Sequence, residues 1–309
     1  SPDIKDFNMD RLTNVNGILA FATVAREGSV SRAAEVLNLT QPALSHQIKR
    51  LSTDLGVTLF TRSPRGLVLT PDGTALLPLA EQVLAAMSDF HRRASTQFGE
   101  LSGKLKIGTI VDPEFIRLGR LLSQLGKAHP KVTTELVHGI SGDILRMLKG
   151  RQLDAGFYLT DPDEANSIPS TRPLHTKTLA QFSYRVIAPA GWEAQLSTDD
   201  WAQLATLPWI GTSPASAHNR LLGNIFARHN CRQKVVALVD HEASMLEMVR
   251  SGVGLSLCRE SIALHERQSS GLTVSESLHV PACLILIAFK DRMQDPVIAA
   301  LFEQLQKVW

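Results

Sequence analysis

The chain has 309 residues, 44% of them apolar, and 32 Lys and Arg stand against 30 Asp and Glu for a formal net charge of +2. That length suits two or three domains with buried cores, while a mean hydropathy near zero and the lack of any run of about 18 apolar residues argue against a membrane span. No basic-then-apolar leader opens the sequence, so a cytoplasmic location is expected, and Cys231, Cys258 and Cys283 are too widely spaced for a Cys-x-x-Cys or Cys/His ligand pattern. Met9 is a candidate native start, and the eight residues before it carry no weight in the fold argument. Buried free thiols are the default for the three cysteines, and a redox role for them stays open.

Residues 29–51 read as two short helices joined by a tight turn, a helix-turn-helix. Val30, Ala33, Ala34 and Leu37 fall at helical spacing, and the paired alanines let a second helix approach closely. Thr40 is a good N-cap for that second helix, and Pro42 fits a first turn in which an N–H is dispensable. Leu44, Ile48 and Leu51 share one narrow arc, while Pro42, Ser45, His46 and Lys49 project on the other side, flanked by Arg50. Donors, acceptors and positive charge on one face are what a major-groove reader of double-stranded DNA needs; the bland alternative is a helical hairpin with a solvated outer face. Leu59–Phe60 and Leu67–Leu69 then bracket a Pro/Gly turn, the pattern of a small hairpin with Arg62 and Arg65 at its tip, positioned as a wing. Residues 9–66 hold seven Lys and Arg against four Asp and Glu. So few phosphate-facing charges make a weak binder as a monomer, and pairing would double the contacts.

From Asp72 to about Phe98 a long helical segment carries Leu76, Leu77, Ala80, Val83, Leu84, Met87 and Phe90 as an apolar stripe, interrupted by Pro78, which predicts a bend. Two such helices packed together would bury both stripes and hold two reading helices at a fixed separation, matching a palindromic site. Gly99 and Gly103 mark a hinge. Beyond Lys104, short apolar strands alternate with helices: strands at 105–111, 132–137, 153–159, 182–188, 209–211, 235–239, 254–257 and 282–289, helices from Pro113 and Ser141 and over 217–228, 242–250 and 296–308. Such alternation predicts a parallel sheet.

Ser31-Arg32-Ala33-Ala34, Leu39-Thr40-Gln41-Pro42-Ala43-Leu44-Ser45, Leu55-Gly56, Leu59-Phe60 and Leu69-Thr70-Pro71-Asp72-Gly73 resemble the amino-terminal signature of LysR-type transcriptional regulators. The resemblance is specific through residue 73 and architectural beyond it. It implies an α+β multidomain chain: an N-terminal winged helix-turn-helix over 9–70, a long linker and dimerisation helix over 71–98, a hinge at 99–103, and a C-terminal two-lobed α/β effector domain resembling periplasmic binding proteins. Lobe I would comprise 104–171 and 277–309, lobe II 172–276, with crossing strands between them. It further implies a homotetramer assembled from dimers. Base contacts are expected from Gln41, Pro42, Ser45 and His46, and backbone positioning from Ser31, Arg32, Thr40, Lys49, Arg50, Arg62 and Arg65.

In open parallel sheets ligands collect beyond the carboxyl ends of strands, where helix starts hold anions. This picks out Thr109, Ile110, Val111 and Asp112, then Gly139 and Ser141, Tyr158, Thr212 and Ser213, Asp240, and Gly254 as effector contacts; Ser, Thr and Asp cap helices equally well without any ligand. Asp112 either caps the segment at Pro113 or faces the cleft, where its carboxylate would favour an effector with a cationic group. No complete nucleotide-binding, phosphate-loop or nucleophile-elbow motif is present, and His241-Glu242 begins like a zinc helix but has Met245 where a second histidine must stand. The expected protein is therefore a ligand-responsive, non-enzymatic regulator of an interrupted palindromic DNA site. It needs a small-molecule effector but no metal and no other cofactor, and RNA polymerase is a further expected contact. The competing readings are a small-molecule-binding module or an α/β enzyme without any role at DNA.

Overall fold

The computed structural model describes residues 15–63, 66–98, 101–110 and 112–309, and the chain divides into two compact units at Ala94/Ser95. In the first unit, α1 (Val15–Glu27), α2 (Val30–Val36) and α3 (Gln41–Leu55) precede a hairpin of β1 (Phe60–Ser63) and β2 (Gly66–Leu69), and α4 (Pro71–Phe98) follows. Ala20, Val24, Ala33, Ala34 and Leu44 form one buried cluster, and Phe21, Leu51, Leu59 and Ala80 a second. The small side chains at 33 and 34 let the three helices approach closely. Residues 9–14 of the expected winged domain and 99–100 of the expected hinge lie outside the described residues, while Ser102 and Gly103 already belong to a strand.

The long helix departs from its expected stripe. Leu76, Leu77 and Ala80 pack onto the winged domain's own core, whereas Leu79, Val83, Met87 and Phe90 are exposed, Phe90 at 71%. The apolar residues serve two faces, because the first turns of α4 lie against the hairpin. Helical structure is continuous through Pro78. Thr70 fixes the start: its hydroxyl donates to the Thr58 carbonyl at 2.5 Å and accepts from the Gly73 N–H at 3.0 Å. At Gly73 any Cβ would stand 2.2 Å from the Leu59 carbonyl oxygen. Gly73→Ala is expected to destabilise this unit by about 1–3 kcal/mol through overpacking, measured by urea denaturation; an unchanged midpoint would contradict the close approach.

The second unit runs β3 (Ser102–Thr109), α5 (Leu118–Ala128), β4 (Lys131–His138), α6 (Ser141–Lys149), β5 (Ala155–Thr160), β6 (Leu174–Ala188), α7 (Trp201–Thr206), β7 (Pro208–Gly211), α8 (Ala217–Arg228), β8 (Lys234–Leu238), α9 (Glu242–Arg250), β9 (Ser256–Arg259), α10 (Glu260–Ser270), β10 (Thr273–Phe289) and α11 (Pro296–Val308). Six strands form one sheet in the order β4-β3-β5-β10-β6-β9, and β7 with β8 forms a small parallel sheet. The expectation of a parallel sheet holds for β3 with β4 and β5. It fails for β10 with β5 and β6 and for β6 with β9, which are antiparallel. The reason lies in two strands longer than their apolar runs suggest. β6 begins at Leu174, in a half-exposed stretch containing His175, Thr176 and Lys177, and β10 begins at Thr273, ahead of a register shift between Val274 and His279.

Two cores flank these strands. One gathers Leu105, Ile107, Leu121, Phe157, Leu286 and Leu301; the other gathers Val186, Leu204, Trp209, Leu222, Phe226 and Leu257. The expected lobe boundary at 171/172 falls just before β6, and that at 276/277 falls inside β10. The helix expected from Pro113 starts at Leu118 instead. The Asp112 carboxylate accepts from the Phe115 N–H at 2.9 Å, closing a turn, and Arg117 adopts the left-handed region at φ 49°. Both features hold the chain out of helix until residue 118.

Candidate nucleic-acid interface and ligand cavity

Thr40 caps α3, its hydroxyl accepting from the Ala43 N–H at 3.4 Å, and Gly56 ends it in the left-handed region at φ 70°. The preceding turn needs a positive φ at Asn38, 53°, which a short amide side chain tolerates. Leu44 and Leu51 are buried, while Gln41, Pro42, Ser45, His46, Lys49 and Arg50 are exposed. The Ser31 hydroxyl donates to the Gln41 side-chain oxygen at 3.4 Å, linking the two helices at the exposed edge. Arg32 is exposed but tied inward, donating to the Glu27 carbonyl at 2.5 Å. Arg50 stands 4.0 Å from Asp54. Arg62 pairs with Leu67 in the hairpin register; its side chain, and Arg65 altogether, lie outside the described residues.

In the second unit a cavity of about 280 Å³ opens between the segment that follows β3, the start of α6 and β5 on one side and residues of β6, α8, α9 and β9 on the other. Of the predicted contacts, Ile110, Asp112, Gly139, Ser141, Thr212 and Asp240 line it. Thr109, Tyr158, Ser213 and Gly254 do not. Thr109 is fully buried with its hydroxyl 2.6 Å from His138 Nδ1. Tyr158 turns into the core, with the Arg220 guanidinium 4.9 Å from its ring centroid. Ser213 contributes its backbone, the N–H donating to Asp240 at 2.9 Å, and Gly254 exists for close packing, since a Cβ there would lie 2.3 Å from the Pro208 carbonyl oxygen. Val111 lies outside the described residues.

Phe115, Tyr184, His218, Glu242, Met245 and Arg259 also line the cavity and escaped the strand-end argument. Tyr184 sits within β6, where no terminus announces it, and Arg259 was missed because β9 extends past its apolar run. Asp112 is corrected here: its second carboxylate oxygen pairs with Arg259, so it is no free partner for a cationic effector. Arg259 also approaches Glu242 at 3.5 Å and stacks over Phe115 at 4.3 Å. The Arg259 side chain is 11% exposed and that of Asp112 32%; losing one partner of a fully buried pair costs about 3–5 kcal/mol, and solvent at Asp112 reduces that here. The two sides also touch directly. Gly142 N–H donates to the Ala215 carbonyl at 2.9 Å, and Arg220 spans to the Leu159 carbonyl at 2.7 Å while holding Ala215 at 3.0 Å.

Burial is the main cause that pushes the His218 imidazole down to about 4 from 6.5, Asp240 opposing and Arg259 assisting. An unfolded chain would take up this proton near 6.5 and the folded one only near 4, so stability falls as pH drops through that window. His218→Gln is expected to flatten the decline, as read from urea titrations at pH 7, 6 and 5; an unaltered slope would show that another group governs it.

Residues 15–74 match the bacterial regulatory helix-turn-helix protein, lysR family, and residues 98–309 match the LysR substrate binding domain. The chain belongs to the LysR family of transcriptional regulators. Among similar proteins, the HTH-type transcriptional regulator BbuR of Bordetella bronchiseptica is 28% identical over 263 residues, covering 84% of this chain and 77% of the relative. A full-length OxyR from Pseudomonas aeruginosa shares the fold at a TM-score of 0.68 and 20% identity, covering 95% of this chain and 94% of that one. So does a full-length CbnR solved with its target DNA, at 0.57 and 19%, covering 96% and 100%. In this LysR-type regulator the exposed face of α3 therefore lies within the DNA-binding domain, and the cavity lies within the substrate-binding domain.

Proposed function

We propose that this LysR-type regulator reads an interrupted palindrome through the exposed side of α3 and responds to a small molecule held in the cavity of its second unit. The observation that carries the reading is the division of α3: Leu44 and Leu51 buried, Gln41, Pro42, Ser45, His46, Lys49 and Arg50 open to solvent. Gln41, oriented by Ser31, Pro42, Ser45 and His46 address base edges. Thr40, Lys49, Arg50, Arg32 and the wing arginines Arg62 and Arg65 address phosphates. The exposed row Leu79, Val83, Met87 and Phe90 on α4 pairs with the same row of a second copy, since such a row in water favours burial. Two dimers then assemble into a tetramer on DNA, and effector binding changes how they pack and how RNA polymerase meets the site. The chain catalyses no reaction, works in the cytoplasm, and needs no metal or cofactor besides its effector.

Gel-shift titrations against the regulated promoter and random duplex test this reading. Gln41→Ala is expected to relax discrimination at one base pair by about 1–3 kcal/mol, and Lys49→Ala to weaken all sequences alike while lowering the salt slope by about 1. Equal affinity of the unaltered protein for promoter and random DNA would remove the reading. Val83→Glu is expected to shift the sedimenting species toward monomer and to weaken promoter binding more than either change on α3; a species of unchanged size would place the pairing surface elsewhere.

A further inference from the structure

We infer that the cavity of the second unit takes a small zwitterion of the amino-acid class, one carboxylate and one ammonium on an apolar or aromatic skeleton, with Glu242 facing the ammonium and Thr212 and Tyr184 facing the carboxylate. This rests on the effector reading proposed above and narrows it to a ligand chemistry.

The charge balance of the lining disfavours a dicarboxylate. Asp112, Asp240 and Glu242 line the cavity together with a single Arg or Lys, Arg259, among the described residues. That guanidinium is already engaged by Asp112, whose other oxygen is held by the Phe115 N–H, and more loosely, at 3.5 Å, by one oxygen of Glu242. A dicarboxylate would enter a site with surplus negative charge and no free cation, whereas an ammonium finds Glu242 beside it and Asp240 at the rim.

Neutral donors exclude a simple amine. Thr212 is 6% exposed and Tyr184 2%, both line the cavity, and neither hydroxyl has a protein hydrogen-bond partner among the described residues. Burial raises the Tyr184 pKa, so its phenol stays a donor. α9 starts at the cavity behind His241 with no side chain capping it. Both hydroxyls open to the cavity, and a carboxylate there supplies acceptors without needing a counter-cation. An amine would leave all of them unanswered.

Size and lining complete the class. A volume near 280 Å³ accommodates a single amino acid. Ile110, Phe115, Leu159 and Met245 leave an apolar wall for its side chain.

The test uses the full chain in thermal-shift and calorimetric titrations with the twenty proteinogenic amino acids and, for each one that binds, the matching acid lacking the amine and the matching amine lacking the carboxylate. At least one apolar or aromatic amino acid is expected to raise Tm, with its matching acid and amine at least tenfold weaker. Glu242→Gln should weaken the amino acid tenfold or more and leave the acid unchanged, and Thr212→Val should weaken both and spare the amine. Because each variant is compared across ligands, misfolding would be seen as a uniform loss. Acids binding as well as amino acids, no binding by any amino acid, or an unchanged amino-acid affinity in Glu242→Gln each overturn the zwitterion class. An acid whose binding Thr212→Val removes would still leave the cavity as the effector site. A ligand whose affinity neither variant alters would remove the cavity reading itself.

Discussion

From Thr273 opposite Ala188 to Phe289 opposite Leu174, β10 and β6 are hydrogen-bonded antiparallel along nearly their whole lengths, and the second unit is organised around that pairing. Both strands reach two of the apolar cores: β10 gives Leu284 and Leu286 to the first, against which Leu179 and Ala180 of β6 pack partly buried, and Tyr184 and Val186 of β6 join Val280 and Ala282 of β10 in the second. The two sides of the cavity are consequently joined by continuous backbone. Motion between them must bend or twist these strands, and the register shifts at Val274/His279 and Leu284/Ile285 are where the ladder is already interrupted.

That arrangement explains why the cavity contacts come from distant parts of the sequence. Ser141 opens α6, Thr212 follows β7, Glu242 opens α9 and Arg259 ends β9, and only the shared strands bring them around one space. The Asp112–Arg259 pair, the Arg220 bridge to the Leu159 carbonyl and the Gly142–Ala215 hydrogen bond span the same gap. A ligand that binds there competes with, or adds to, these polar links between the two sides of the cavity. A ligand's differential contacts with the two sides can shift the balance between arrangements.

The first unit obeys a simpler constraint. Ala33 and Ala34 let α2 settle on α1 and α3, Leu44 and Leu51 fill the space beneath, and Thr70 with Gly73 locks the hairpin against α4. What remains outside is polar on α3 and apolar on α4. One surface suits the hydrogen-bonding edges of DNA, the other suits a copy of itself, and both are left over from the same local packing.

Local rules decided much of this protein from sequence alone. The cap at Thr40, the alanine pair, the Leu44/Leu51 arc and the signature through Gly73 specify the reading helix, because helical periodicity and capping act within a few residues. The helices at 217–228, 242–250 and 296–308 were legible for the same reason. Tertiary structure decided the rest. The half-polar starts of β6 and β10 become strands only because partner strands satisfy their backbones, and a sequence window does not contain the partner. Asp112 lines the cavity as the partner of Arg259, 147 residues away, and Tyr184 reached the cavity from mid-strand, with no terminal signal. Chain-end rules find strand termini; which side chains share a cavity is set by long-range packing, and that only the folded chain supplies.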